Sequence, residues 1–390
     1  MFSITTFNEL LKGLPRSKFD SVVRRHQADK YIKRFKHWNQ LIVMLYAQLS
    51  GTTGLRPLEA KFNSNAAAHY HLGVEPIKRS TVSDANESRS DVVFSEVASW
   101  LMGQVDRSIR SEGKDLLYLL DSTSITLKGQ QFERWTSANK TRRTQGIKLH
   151  VLLDATNETP AWARFSPANV NDIELARSVP LEKDAIYVCD KGYCDYNWWY
   201  DIDSVGARFV TRFKRNAALE VVEERSIDDA DIGIVLSDSI VRIKSKQTGR
   251  RKNRYRHPLR RVTVARPDKQ TPLVIATNDL TSPASVIAQR YKERWAVELF
   301  FKWIKQHLKI KSFFGRSENA VRTQILTALI AYLLVALYKK RHSLSDSLWQ
   351  CTCIIGATLF QAVETTQARL RRWLKVEEAR MKSELQRCLF

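Results

Sequence analysis

Apolar positions along the chain change their period near residue 110. Up to that point they recur at helical spacing between polar turns, at Phe7–Leu11, a basic stretch Lys30–Lys36, Trp38–Leu49 and Val92–Val105. An all-helical N-terminal region follows from this. Within it, Ser80-Thr81-Val82-Ser83-Asp84-Ala85-Asn86 opens with good N-cap residues just after Pro76-Ile77-Lys78-Arg79. That order predicts a helix start there, either the second helix of a helix-turn-helix or a capped surface helix of a bundle.

From residue 115 the pattern becomes that of strands. Asp115–Asp121, Ile147–Asp154 and Ala161–Phe165 read as three strands, with Thr156–Pro160 as the turn of a hairpin between the last two. Asn171-Asp172 can cap a helix through Arg177. Ala185–Asp190 is a fourth strand, Tyr196–Ser204 a helix and Arg208–Arg212 a fifth strand. An antiparallel meander followed by parallel crossovers predicts a mixed α/β sheet of the ribonuclease H type.

Residues 214–280 interrupt this order with β-rich, charge-rich sequence, returning at Pro272–Thr277 as a strand. Arg242–Arg261 holds ten Lys or Arg and no acid, with Tyr255 and His257 interleaved. The pattern is that of a surface tracking a phosphate backbone, and it marks Arg250, Arg251, Lys252, Arg254 and Tyr255 as candidate contacts. A solvated loop is the alternative. After Ser282-Pro283 one long helix is expected to about Leu308, a second over Asn319–Lys340, then two shorter ones. The expected division is thus a helical DNA-binding region (1–110), a catalytic core (111–213 and 284–345) split by a β-rich basic insertion (214–283), and C-terminal helices (346–390) that could mediate dimerisation.

Charge narrows the class of partner. The 390 residues carry 63 Lys+Arg against 41 Asp+Glu, a formal net charge of +22, while the apolar fraction of 43% is that of an ordinary globular protein. A folded basic protein of this kind favours a polyanion, nucleic acid foremost, because neutralised phosphates release condensed counterions. Five cysteines without a C-x-x-C pair argue against a disulfide framework or a thiolate metal site. The first thirty residues show no apolar signal core, and the longest apolar run, Ile325–Tyr338, is too short to span a bilayer. The expectation is a cytoplasmic protein that does not engage membranes.

The chemistry is concentrated after Pro283. Tyr291, Arg294, Glu298 and Lys305 are spaced i, i+3, i+7 and i+14, so on a continuous helix they form one polar stripe. Around that stripe Trp295, Val297, Leu299, Phe300, Phe301, Trp303 and Ile304 predict burial. An internal Arg294–Glu298 salt bridge would explain the stripe structurally. The functional reading joins Glu298 to Asp121, closing the first strand, and Asp190, closing the fourth; Asp154 and Asp172 read instead as turn or cap residues. Three converging carboxylates form a hard oxygen site suited to Mg²⁺, and two ions about 4 Å apart can serve both the attacking and leaving oxygens of phosphodiester cleavage.

With these residues in view, the chain resembles the insertion-sequence-four family of bacterial DDE transposases. Tyr291-x2-Arg294-x3-Glu298-x6-Lys305 is similar to the family's YREK signature. Leu119–Thr123 resembles its first acidic motif, Val188-Cys189-Asp190-Lys191-Gly192-Tyr193 its D-x-G-[FY] motif, and Gly146–His150 its second strand. The similarity covers roughly 115–340, with 214–280 where the family inserts a β-domain.

The resemblance implies a ribonuclease H-like core and a transposase catalysing cut-and-paste DNA transposition. Asp121, Asp190 and Glu298 would bind two Mg²⁺ ions, for which Mn²⁺ can substitute. Tyr291, Arg294 and Lys305 would hold phosphates. It further implies double-stranded DNA partners, both terminal inverted repeats and target, a homodimer in the synaptic complex, and action at the bacterial nucleoid. Well-known members cleave through a hairpin and stack a flipped base on a Trp in the insertion; here no Trp lies between Trp199 and Trp295, leaving Tyr255 or His257 for that role. A catalytically inactive DNA-binding relative and a structure-specific nuclease are the alternatives.

Overall fold

The computed structural model describes residues 4–109, 116–139, 144–248, 251–266, 270–307 and 313–372. They form two compact units. The first takes the described residues up to 109, 130–135, and those from 303 onward; the second takes 116–129 and 136–302.

The first unit is helical, with α1 (Thr6–Leu11), α2 (Arg16–Arg25), α3 (His37–Leu49), α4 (Leu55–Asn63), α5 (Arg79–Ser88), α6 (Val92–Ile109) and the short α7 (Gln130–Glu133), joined by the later helices Glu318–Arg341 and Leu348–Thr358. Helix Glu318–Arg341 is apolar on every side and packs against α3, α5 and α6. By length and composition alone it could cross a membrane, yet 89% of its apolar window is buried in the protein, as a core helix requires. Lys30–Lys36 is a loop rather than helical, while α2 and α4 escape the periodicity reading. Helix α5 begins at Arg79 with no side-chain cap, so Ser80 lies inside it. The cause is Asn63, whose side-chain amide both donates to Ile77 O and accepts from Ile77 N at 2.8 Å, fixing the chain just ahead of the helix.

The second unit is built on a ten-stranded sheet. Its strands are β1 (Leu117–Thr126), β2 (Ser137–Asn139), β3 (Thr144–Asp154), β4 (Thr159–Pro167), β5 (Ile186–Cys189), β6 (Arg208–Arg212), β7 (Leu219–Arg225), β8 (Val235–Ile243), β11 (Leu259–Val264) and β12 (Leu273–Thr277); β9 (Gln247–Thr248) and β10 (Arg251–Lys252) form a separate hairpin. Antiparallel β4-β3-β1 continues into parallel β1-β5-β6, the ribonuclease H order. The strands of the 214–283 segment extend the same sheet: β12 pairs antiparallel with β6, then β11, β8 and β7 follow.

Strand β1 does not end at Asp121, as the alternation suggested, but continues to Thr126 because β3 pairs with it over its whole length. That pairing brings Gly146 (φ +147) so close to β1 that a Cβ would meet Ile125 O at 2.0 Å. One face of the sheet is covered by α8 (Asp172–Ala176) and α9 (Tyr196–Ser204), with Tyr118, Tyr187, Trp198, Trp199 and Phe209 in the core; Trp199 stacks on Phe209 at 4.8 Å.

After β12 the expected long helix is two, α10 (Ala284–Glu293) and α11 (Trp295–His307), broken at Arg294. There the backbone tightens: Arg294 N donates to Tyr291 O and Val297 N to Arg294 O. No Gly or Pro announces the break. From Trp303 the chain belongs to the first unit, so 284–345, expected as one part of the core, divides there.

Candidate active site

Register along the parallel strands brings the two aspartates together. The β1–β5 pairing runs from Leu117↔Ile186 to Leu120↔Cys189, so Asp121 and Asp190 are each the next residue beyond the last pair. On the other side of β5, Val188 pairs with Val210, which puts Arg212 two residues on, level with Asp190. All three line one cleft of about 910 Å³ together with Tyr291, Arg294, Trp295 and Glu298. Ile234, Val264, Ala265 and Leu273 of the 214–283 segment and Ala288, Gln289 and Lys292 of α10 complete its walls.

The entry to α10 is clamped to the sheet. Buried Asp279 accepts from Ser282 N (2.9 Å), Ser282 Oγ (2.6 Å) and Thr281 N (3.1 Å) and pairs with Arg290 (2.9 Å) and Arg208 (3.4 Å). Burial alone would raise its pKa, but those hydrogen bonds and the Arg208 charge outweigh it and hold the carboxyl well below the usual range. Arg260, itself buried against Asp238 at 2.6 Å, donates to Ser282 O from the sheet side.

Arg294 draws the acids toward one another. Its Nη2 lies 2.6 Å from Glu298 Oε1 and its Nη1 3.4 Å from Asp121 Oδ2, while Ser122 N donates to Asp121 Oδ1 at 2.7 Å. The Asp121 carboxyl is pushed up to about 6, first by burial and further by the negative charges of Glu298 and Asp190; Ser122 N–H and Arg294 pull the other way. Three like charges therefore feel one another in a poorly solvated cleft. As they stand they are not closed into a ligand set: among the described residues no three His, Cys, Asp or Glu are arranged to hold a metal. The donor set nevertheless fits a hard cation, being all carboxylate oxygen with a guanidinium between two of its members.

On the opposite sheet face from Asp121, a buried polar group supports β1. Lys148 Nζ donates to Val170 O (2.6 Å) and Asp172 Oδ1 (2.8 Å), and Ser122 Oγ donates to the same Asp172 oxygen (2.9 Å). Asp172 is thus an ion-pair partner and gives no side-chain cap to α8. Beside it His150, buried and bonded to Ser166 Oγ at 2.8 Å, is pushed down to about 4 by burial, so its ring is neutral at pH 7. Asp154 is the turn residue expected of it, accepting from Thr156 N at 2.8 Å.

Two arginines and the histidine of the basic run pair with acids near and within α9. Arg251 pairs with Asp195 (2.7 Å), and Arg254 pairs with Asp201 (2.6 Å) while lying over the Tyr200 ring at 4.8 Å. His257 Nδ1 meets Asp203 at 2.6 Å. Lys252 is exposed, and Arg250 lies outside the described residues. Tyr255 is a core residue, 1% exposed and edge-on to Phe209, so it cannot stack on a base. Sequence alone cannot see the acids that α9 supplies across the fold.

Helix α11 also departs from the expected burial. Trp295 is 57% exposed on the rim of the cleft and Leu299 is 51% exposed, because the break at Arg294 turns them outward. Lys305 lies on the part of α11 beyond Lys302, in the first unit, and is not among the residues lining the cleft. Arg212 and Lys292 were not singled out by the sequence; Arg212 could have been, by counting register from the paired strands.

Comparison with known proteins shows what the chain is similar to. The family profile of the transposase DDE domain matches residues 112–334, and that of a domain of unknown function matches 3–75. A Sinorhizobium fredii protein assigned as a transposase is 41% identical over 282 residues, 72% of this chain and 77% of that protein. An insertion-sequence transposase assigned in Geobacillus stearothermophilus is 29% identical over 221 residues, 56% of this chain and 55% of its own. Among solved structures, a piggyBac transposase synaptic complex with hairpin DNA aligns over 95% of this chain and 83% of its own at 12% identity, with a TM-score of 0.46.

Proposed function

The chain belongs to the family of transposases with a DDE domain, enzymes that act on DNA and depend on divalent metal, and from that premise we propose how its own residues divide the work. Asp121, Asp190 and Glu298 are the metal-binding acids, holding two Mg²⁺ ions, with Mn²⁺ able to substitute. Metal bound there would supply Lewis-acid activation of the attacking oxygen and stabilisation of the leaving one. Arg294 would take a phosphate of the DNA end in bidentate fashion and Tyr291 would hold a neighbouring one, while Lys305 would hold a DNA phosphate from the first unit. Arg212 and Lys292 add positive charge along the same cleft. Trp295 offers the exposed aromatic face for an unstacked base that buried Tyr255 cannot offer.

The reaction is cut-and-paste transposition of an insertion sequence. Cleavage at the terminal inverted repeats exposes a 3′-hydroxyl, which then attacks target DNA. Two copies of the chain bring the ends together in the synaptic complex, through the helices beyond 346, and the protein works at the bacterial nucleoid.

What carries this reading is the convergence of Asp121, Asp190 and Glu298 on one cleft, with the Asp121 carboxyl raised first by burial and further by its two acidic neighbours. The test is Mg²⁺-dependent cleavage of a labelled duplex carrying the element's own end and flank, by the natural chain and by Glu298→Gln. The reading requires cleavage at the end by the first and none by the second. Equal cleavage by both would reduce Glu298 to a salt-bridge partner. Cutting of DNA lacking any element end would point to a structure-specific nuclease, and binding of the end without cleavage to an inactive relative.

A further inference from the structure

In the first unit, α2 and α3 are joined by a loop of consecutive tight turns. Lys30 N donates to Gln27 O at 3.1 Å and Ile32 N to Asp29 O at 3.1 Å. Gln27 (φ 48) and Tyr31 (φ 66) both adopt the left-handed region. For residues with a Cβ each such conformation costs on the order of 1 kcal/mol, so the surrounding structure must impose it.

The loop is fastened from behind. Asp29, its one acid, faces inward and accepts from both His37 N (2.9 Å) and His37 Nδ1 (2.7 Å). Arg89, just beyond α5, donates to Phe35 O and to Gln40 Oε1 (3.1 Å) and lies over the Phe35 ring at 5.5 Å. Arg25, at the end of α2, is taken up by Glu96.

What remains on the outer side is one aromatic ring among cations. Tyr31 is 90% exposed, with Lys30 Nζ over its ring at 5.2 Å. Lys30, Lys33, Arg34 and Lys36 are exposed, and among the described residues none has an acidic partner. A braced backbone holding a bare ring between unpaired cations contributes nothing to the core. It is suited to a ligand with closely spaced anionic groups and apolar surface between them, which the phosphates and deoxyriboses of a DNA backbone present.

We infer that the loop 26–36 is a DNA-binding element of the N-terminal unit, separate from the cleft of the second unit. Lys30, Lys33 and Arg34 contact phosphates, and the Tyr31 ring lies against a base or deoxyribose between them. The inference rests on the chain's action on DNA and adds a duplex contact in the unit that does not carry the acids.

The test is fluorescence anisotropy of the full chain with a duplex bearing the element's terminal repeat, titrated at several KCl concentrations. Lys30→Gln/Lys33→Gln/Arg34→Gln together should weaken binding at least tenfold and flatten the slope of log Kd against log salt by about 2 to 3, since each lost phosphate contact removes about 0.9. Tyr31→Ala should weaken binding about fivefold or more with the slope unchanged, an effect within the range for loss of one stacking contact. Tyr31→Phe should bind as the natural protein does. All these side chains are exposed, so melting temperatures should not move. Natural affinity and slope in the triple variant and Tyr31→Ala, or no DNA binding by the natural chain, would overturn the inference. Glu298→Gln separates the two readings: it should bind the end normally without cutting it. A natural chain that grips DNA through the loop yet never cleaves would defeat the proposed chemistry alone.

Discussion

Arg294 reaches Asp121 across 173 residues of sequence, its Nη1 3.4 Å from Asp121 Oδ2, while its other terminal nitrogen holds Glu298 at 2.6 Å. One guanidinium therefore occupies the space between two of the three acids assigned to the metal. It supplies counter-charge to both carboxylates.

Arg294→Gln should accordingly bind Mn²⁺ more tightly than the natural chain, roughly threefold to tenfold, the equivalent of about 0.7 to 1.4 kcal/mol. Isothermal titration calorimetry without DNA measures this directly. Cleavage by the same variant should fall about a hundredfold or more, because a charged donor to the scissile region is lost. Weaker metal binding would mean that the guanidinium orders the acids rather than competing for them.

Asp279 ties the start of α10 to the sheet, and its carboxyl is held well below the ordinary value despite burial, by Ser282, Thr281 and Arg208. A depressed folded pKa contributes stability that is fully present above the unfolded value near 4 and lost as pH falls below it. Thermal melts should therefore decline below about pH 4 more steeply for the natural chain than for Asp279→Asn, which lacks that linkage. At pH 7 the variant should be less stable by about 3 kcal/mol, the usual cost of stripping one partner from a buried charge cluster. A variant that melts like the natural chain at pH 7 would remove Asp279 from the anchor.

Tyr255 separates surface from core in the basic segment. Tyr255→Ala should destabilise the second unit by about 3 to 5 kcal/mol, as large-to-small changes in a packed core do. Tyr255→Phe should be close to neutral, because the buried hydroxyl has no hydrogen-bond partner among the described residues. Neither expectation holds if the ring stacks on DNA; in that case Tyr255→Ala would keep its stability and lose affinity. Differential scanning calorimetry and duplex binding on the same samples decide the matter.

Much of this architecture was legible in the chain. Short apolar runs bounded by turn residues located β3, β4, β5 and β6, and helix-start signals the helix Tyr196–Ser204, to within a few residues. The Ile325–Tyr338 run, apolar but for Thr327, declared a core helix, and strand-end position, the helical stripe and the family resemblance together pointed to Asp121, Asp190 and Glu298, which line one cleft. Helices α2 and α4 were not legible, being short segments whose helical form rests on tertiary burial of a few residues such as Phe19, Val22, Leu58 and Phe62.

The sequence by itself determined the ribonuclease H-like strand order and the basic character, because period and composition are local properties carried along the chain. The tertiary structure decided which cations remain free. Arg251 and Arg254 are paired with Asp195 and Asp201, while Lys30, Lys33 and Arg34, to which the pattern gave no role, have no acidic partner among the described residues. It also broke the helix at Arg294, turning Trp295 outward and placing the guanidinium between Asp121 and Glu298. Charge pairing and burial depend on which distant residues fold beside a given side chain, and neither periodicity nor composition records that.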